Sequence, residues 1–126
     1  MYYCTYIYQL SEFTSEIAIT PAGTTDYKAP EIIKKRPHNQ SVDIWSFGVC
    51  CYEIISFEKP FDNPADVCDF YVDYKPLDDD TPALQVDLVE MMLQRLPRKR
   101  PTAAQIGKMI KEDIESSSQR SVKNFN

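Results

Sequence analysis

Between Val42 and Phe57, apolar residues fall on every side of a helical repeat: Ile44, Trp45, Phe47, Val49, Cys50, Cys51, Tyr52, Ile54 and Ile55. A helix that is apolar all round is buried all round. The pattern therefore predicts a central buried helix over 41–57, capped by Ser41 and with Asp43 in its positive first turn. Leu84, Leu88, Met92 and Leu96 recur every fourth residue with Val89 and Leu93 alongside, which predicts an amphipathic helix. Ile106, Ile110 and Ile114 stripe a last helix, and Thr102-Ala103-Ala104-Gln105 opens it with a capping box. Residues 1–10, rich in aromatic and β-branched types, read as a short strand. The stretch 62–83 contains Pro64, Pro76, Pro82 and the acid run Asp78-Asp79-Asp80, leaving room for one short helix around 65–73 in a solvated loop. Residues 116–126 form a polar tail expected to fray. The fold class is mainly α with a short N-terminal strand segment.

Composition narrows the class. At 126 residues, 43% hydrophobic and 12% aromatic, the chain is long and apolar enough to bury a core as one domain. A net charge of -5 gives no reason to expect nucleic acid or an anionic membrane as partner. No apolar run is long enough to span a bilayer. Cys4, Cys50, Cys51 and Cys68 show no C-x-x-C spacing, and His38 is the one histidine. They read as reduced packing residues of an intracellular, cytoplasmic protein, with no metal site. Lys34-Lys35-Arg36-Pro37-His38-Asn39-Gln40 reads as a solvated connection, and the basic run Arg95 to Arg100 as charge serving structure and solubility.

Three blocks carry more information. Gly23-Thr24-Thr25-Asp26-Tyr27-Lys28-Ala29-Pro30-Glu31 is followed by Ser41-Val42-Asp43-Ile44-Trp45-Ser46-Phe47-Gly48-Val49, and then by Arg100-Pro101-Thr102. In order and spacing they resemble the C-terminal half of a eukaryotic protein kinase domain of the serine/threonine type, over roughly 10–115. Ala-Pro-Glu is one of that family's signatures. The resemblance implies a kinase-like C-lobe. In it, 1–22 are a strand and activation-segment remnant, 23–31 a substrate-docking loop with its Ala-Pro-Glu motif, 41–57 the central helix, and 84–115 the last two helices.

Residue by residue, the resemblance implies that Gly23, Thr24, Thr25, Asp26 and Tyr27 dock the substrate next to its phosphoacceptor. A glycine turn leading into a structural segment explains the same residues. Glu31 and Arg100 would form a buried ion pair. Asp43, Trp45 and Gly48 would anchor the central helix, with Trp45 against the segment that bears Glu31 and Gly48 allowing another backbone close. Leu10-Ser11-Glu12-Phe13-Thr14 resembles a degraded magnesium motif, with Glu12 for the metal-binding Asp and Thr14 for Gly; a chance Glu12-Phe13 pair at a strand end is the other reading. Thr14, Ser15 and Thr20 are candidate phosphosites, or simply solvated loop hydroxyls.

The chemistry of phosphate transfer is missing from the sequence. Three glycines, at 23, 48 and 107, cannot make a G-x-G-x-x-G loop, and His38 is followed by Asn39 rather than by Arg-Asp. Residues 1–25 contain no Asp, Lys, Arg or His. The family uses ATP and Mg2+; this chain is expected to bind neither, to have no catalytic residue and to be inactive as it stands. Two functions follow. One is the substrate-side portion of a serine/threonine kinase domain; the other is a non-catalytic, pseudokinase-like module that binds a protein substrate or regulator. Without the family's other helices against 42–57, large apolar side chains would meet water, so self-association or dependence on a partner is expected.

Overall fold

The computed structural model describes residues 25–123, and these form helices and turns with no strand among them. The expected strand at 1–10 lies outside the described residues. A turn of 3-10 helix at Thr25–Tyr27 leads into α1 (Pro30–Ile33), with Pro30 at the start where its missing N–H is not needed. Helix α2 (Ser41–Ser56) follows, then a long connection with a 3-10 turn at Pro64–Cys68. Helix α3 (Ala83–Met92), a 3-10 turn at Pro97–Lys99 and α4 (Ala103–Lys123) complete the order.

Helix α2 is the axis of the core. Trp45, Val49 and Tyr52 repeat along one face and are almost fully buried, joined by Ala29, Phe61, Val67, Val89 and Leu93. Trp45 stacks on Phe61 with centroids 6.2 Å apart, and Tyr74 meets Tyr52 edge-on at 5.9 Å. The stripe Asp43, Phe47, Cys50, Ile54 runs along another face at helical spacing. There Ile54 is 73% exposed, and Phe57, just past the helix end, is 90% exposed. The expectation of burial all round is thus corrected: Asp43 and Cys50 on this face are half-buried, while Phe47 and Ile54 are exposed.

The start of α2 also differs from expectation. Ser41 lies inside the first turn and caps nothing; its Oγ is buried without a partner among the described residues. Asn39 does the work instead, its Oδ1 accepting the Ser41 N–H at 3.0 Å. At the far end, Phe57 adopts φ 59°, a left-handed conformation that closes the helix through its N–H to the Glu53 carbonyl, 2.9 Å.

The remaining helices depart from expectation mainly in length. The segment around 65–73 forms only the 3-10 turn Pro64–Cys68. Helix α3 stops at Met92 instead of reaching Leu96, which becomes the residue flanking the turn that begins at Pro97. Thr102 and Gln105 make the reciprocal cap, at 2.8 and 3.2 Å. Ile106 is buried, whereas Ile110 and Ile114 are exposed, so only the first turns of α4 pack on the lobe. The helix then runs on through Lys123 where fraying was expected from residue 116. No Gly or Pro interrupts it there, and Ser116, Ser118 and Ser121 donate back to the carbonyls of Glu112, Ile114 and Ser117.

Gly48 sets the distance between α2 and α3. A Cβ at this position would stand 2.7 Å from Met92 Cβ and 3.1 Å from Leu93 Cδ2. Met92 Cβ is fixed to its backbone and cannot swing aside, so α3 would have to move. Gly48→Ala is expected to lower the melting temperature in a circular-dichroism melt. Overpacking costs ~1–3 kcal/mol against a helix-propensity gain of ~1 kcal/mol, for a net loss of up to about 2 kcal/mol.

Candidate substrate-docking face

Two polar residues break the apolar run of α2, Ser46 and Glu53, and their seven-residue spacing puts them on one side of the helix. The Thr25–Tyr27 turn sits against that side. Ser46 Oγ donates to the Tyr27 carbonyl at 2.8 Å, and the Tyr27 hydroxyl donates to Glu53 Oε2 at 2.5 Å. Asp26 forms an ion pair with Lys59, just past α2. Three contacts from one helix and its exit therefore hold a three-residue turn. Of the sequence-expected docking residues, Thr25, Asp26 and Tyr27 are placed here, while Gly23 and Thr24 lie outside the described residues. Glu12, Phe13, Thr14, Ser15 and Thr20 also lie outside them.

Sequence reasoning did not single out Ser46, Glu53 or Lys59. The first two carried a usable signal, as polar residues one face apart in an otherwise apolar helix. Lys59 carried none.

Behind the turn, α1 is tied to the chain's later half. Arg100 Nη1 and Nη2 lie 2.6 and 2.9 Å from the two Glu31 carboxylate oxygens, and both residues are buried. Nη1 also donates to the Ser41 carbonyl, Nη2 to that of Arg95, and Nε to that of Gln94. All five guanidinium donors are thereby used. The Arg100 guanidinium also lies 5.1 Å from the centre of the Trp45 ring. Burial works to raise the Glu31 pKa, but the Arg100 hydrogen bonds, a backbone bond and Arg100's charge outweigh it and hold the carboxyl below its ordinary value.

Asp43 presents the opposite case. It is half-buried on the open face of α2, its carboxylate has no hydrogen bond or ion pair among the described residues, and burial raises its pKa. Gly48 admits α3 as described above, the near atoms belonging to the side chains of Met92 and Leu93.

Arg95 is no part of a surface basic patch. Its Nε donates to the Val67 carbonyl and its Nη2 to the Asp66 carbonyl, each at 3.0 Å, and Nη2 reaches the Val72 carbonyl too. Its guanidinium lies 5.3 Å from the Phe61 ring centre and 6.0 Å from that of Phe70. It clasps the connection between α2 and α3. His38 is exposed, and its Nδ1 lies 3.1 Å from the nearby Arg36 carbonyl. Among the described residues no group of three His, Cys, Asp or Glu side chains stands together as metal ligands, and no helix is long and apolar enough to cross a membrane.

Comparison with known proteins matches residues 8–110 to the protein kinase domain family. The chain is 35% identical over 100 residues to an Aurora kinase of Debaryomyces hansenii, covering 76% of this chain and 24% of that protein. It is 36% identical over 91 residues to mouse Aurora kinase C, covering 69% of this chain and 33% of the relative. With the serine/threonine-protein kinase nekl-2 of Caenorhabditis elegans the identity is 37% over 97 residues, covering 74% of this chain and 27% of that protein. The chain thus spans about a quarter to a third of the length of the curated relatives it matches.

Two stability measurements check the electrostatics. Glu31 has a lowered folded pKa, so its contribution is complete above the unfolded value of about 4.3 and is lost as pH falls through the folded one. Glu31→Gln, which leaves Arg100 buried without its counter-charge, is expected to destabilise by ~3–5 kcal/mol at pH 7. Its melting curve should approach that of the unaltered chain as the pH drops below that of ordinary carboxylates. Asp43 has a raised folded pKa, so its charge opposes folding above its unfolded value of about 3.9. Asp43→Asn is expected to raise the melting temperature at pH 7, with the difference vanishing in acid.

Proposed function

This chain belongs to the protein kinase domain family, and from that premise we propose that it forms the substrate-side lobe of a serine/threonine kinase domain and transfers no phosphate alone. The observation that carries the reading is the seat of the Thr25–Tyr27 turn: Ser46, Glu53 and Lys59 fix it against α2, and Glu31–Arg100 fixes the segment that follows it. A turn held this way presents an extended protein segment with a fixed edge, which is what positioning a hydroxyl for transfer requires. The names of the relatives, Aurora kinases and a serine/threonine-protein kinase, support serine or threonine as acceptor.

The reaction belonging to this family moves the γ-phosphoryl group of Mg-ATP to a protein hydroxyl and needs a lysine on the phosphates, carboxylate and amide ligands for magnesium, and an aspartate beside the acceptor. The donor set here does not fit those groups: the sequence has no glycine-rich loop and no His-Arg-Asp, and among the described residues no three His, Cys, Asp or Glu side chains stand together as ligands. No step of the transfer is therefore assigned to this chain's residues. Its part is to position a protein substrate. A second reading, a pseudokinase-like module that binds a protein regulator or a second copy of itself, draws on the exposed Phe47, Ile54 and Phe57.

One experiment with two arms separates the readings. The purified chain with Mg-ATP and a mixed serine/threonine peptide pool is expected to incorporate no phosphate and to show no saturable nucleotide shift in melting temperature; either signal would overturn its inactivity. Grafted in place of the matching segment of mouse Aurora kinase C, residues 23–115 are expected to support peptide phosphorylation. A chimera that folds, binds ATP and transfers nothing would leave the interaction module as the function.

A further inference from the structure

Charge is segregated along this chain. Residues 32–42 and 91–111 contain no Asp or Glu, yet they carry nine of its fourteen lysines and arginines. Residues 58–90 carry ten acids against Lys59 and Lys75. The fold joins the two acid-free segments. Arg100, in the second, holds the carboxylate of Glu31, whose carbonyl accepts the Arg36 N–H at 2.8 Å. Arg100 also bonds the Ser41 carbonyl at the end of the first segment, and the turn Pro97–Lys99 packs against α2.

Most of the nine cations are in use. Arg95 and Arg100 are engaged by carbonyls and by Glu31, and Lys34 Nζ donates to the Cys68 carbonyl. Lys108 and Lys111 face Glu112 and Glu115 at 3.8 and 3.9 Å, and Lys99 lines a groove together with Asp73 and Glu90. Lys35, Arg36 and Arg98 are left exposed, with no ion pair or side-chain hydrogen bond among the described residues.

Their backbone, in contrast, is fixed. Helix α1 closes through the Lys35 N–H to the Ile32 carbonyl and the Arg36 N–H to the Glu31 carbonyl, with Lys35 at φ 52°. This left-handed position after a helix is usually glycine. A lysine there carries a conformational cost that glycine would avoid, and it gains no ion pair in return. His38 Nδ1 lies 3.1 Å from the Arg36 carbonyl. Arg98 stands in a turn closed by the Lys99 and Arg100 N–H groups on the Leu96 and Pro97 carbonyls, at 3.0 and 3.2 Å. A ligand would have to order only the three side chains, which keeps the cost of binding low.

We propose that Lys35, Arg36 and Arg98 form a docking surface for a short acidic segment of a partner protein, one with several glutamates or aspartates close together. The guanidinium forks of Arg36 and Arg98 match carboxylates two bonds at a time, and Lys35 adds a point charge. The charge of the whole chain argues for a short occupant. A long polyanion, such as a nucleic acid or an anionic bilayer, would also meet the acids of 58–90, whose field reaches ~8 Å at physiological salt. A short segment can stay on the basic surface. This surface does not depend on the chain's role in phosphate transfer.

The test is fluorescence anisotropy of the full chain with a fluorescein-labelled peptide of alternating glutamate and serine, and with its lysine and serine counterpart. Saturable binding of the first that weakens as salt rises, and binding of the second at least about tenfold weaker, is the expected result. Arg36→Glu with Arg98→Glu should weaken the acidic peptide about tenfold. Lys111→Glu with Arg120→Glu, the same change of net charge on exposed α4, should leave it unaltered; both pairs are checked for an unchanged circular-dichroism spectrum. Lys35→Gly should melt no lower than the unaltered chain yet bind the acidic peptide about threefold more weakly, separating the lysine's charge from its backbone. No saturable binding, or equal weakening by both pairs, overturns the proposal. So does undiminished binding by Lys35→Gly, or a single-stranded oligonucleotide of the same charge that binds as tightly as the acidic peptide.

Discussion

A single buried guanidinium organises this lobe. Arg100 joins the Glu31 carboxylate across 69 positions of sequence and takes carbonyls from the first turn of α2 and from the residues just past α3. A buried ion pair adds little net stability over an apolar replacement, because both charges leave water. What it does add is exactness of register: no donor of the fork is left over, so neither α1 nor the end of α3 can slide without stranding a charge. The cation also lies against Trp45, the most buried side chain of the core. Packing and electrostatics here share the same few atoms.

Helix α2 turns that constraint into three distinct faces. One face carries Trp45, Val49 and Tyr52 into the core, with Gly48 letting α3 in close. A second carries Ser46 and Glu53 to the Thr25–Tyr27 turn. The third carries Asp43, Phe47 and Ile54, and among the described residues nothing pairs with Asp43 or covers the apolar groups.

The sequence made the axial helix, the cap at Thr102 and the pairing of Glu31 with Arg100 legible, the first two through periodicity and local chemistry and the third through resemblance. It misled where a longer-range partner decided the outcome. Ser41 has the right type for a cap, but Asn39 reaches the helix first. Arg95 looks like one charge in a basic run, and only the returning connection shows that it has three carbonyls to bind. Leu96 fits the apolar repeat of α3, yet Pro97 ends the helix before it. Ser46 and Glu53 were visible as exceptions in an apolar run, but the turn they hold lies about twenty residues upstream, beyond any local pattern.

The Arg95 clasp gives the connection between α2 and α3 an unusual way of opening. Other contacts hold it as well: Lys75 N–H to the Pro60 carbonyl, Lys75 Nζ to Asp62 and Glu58, Lys34 Nζ to the Cys68 carbonyl, and Phe61 and Val67 in the core. Three of its carbonyls are satisfied by one side chain, so they are lost together when that side chain leaves. The Asp66, Val67 and Val72 carbonyls, on either side of the 3-10 turn's end, are thereby coupled through one guanidinium.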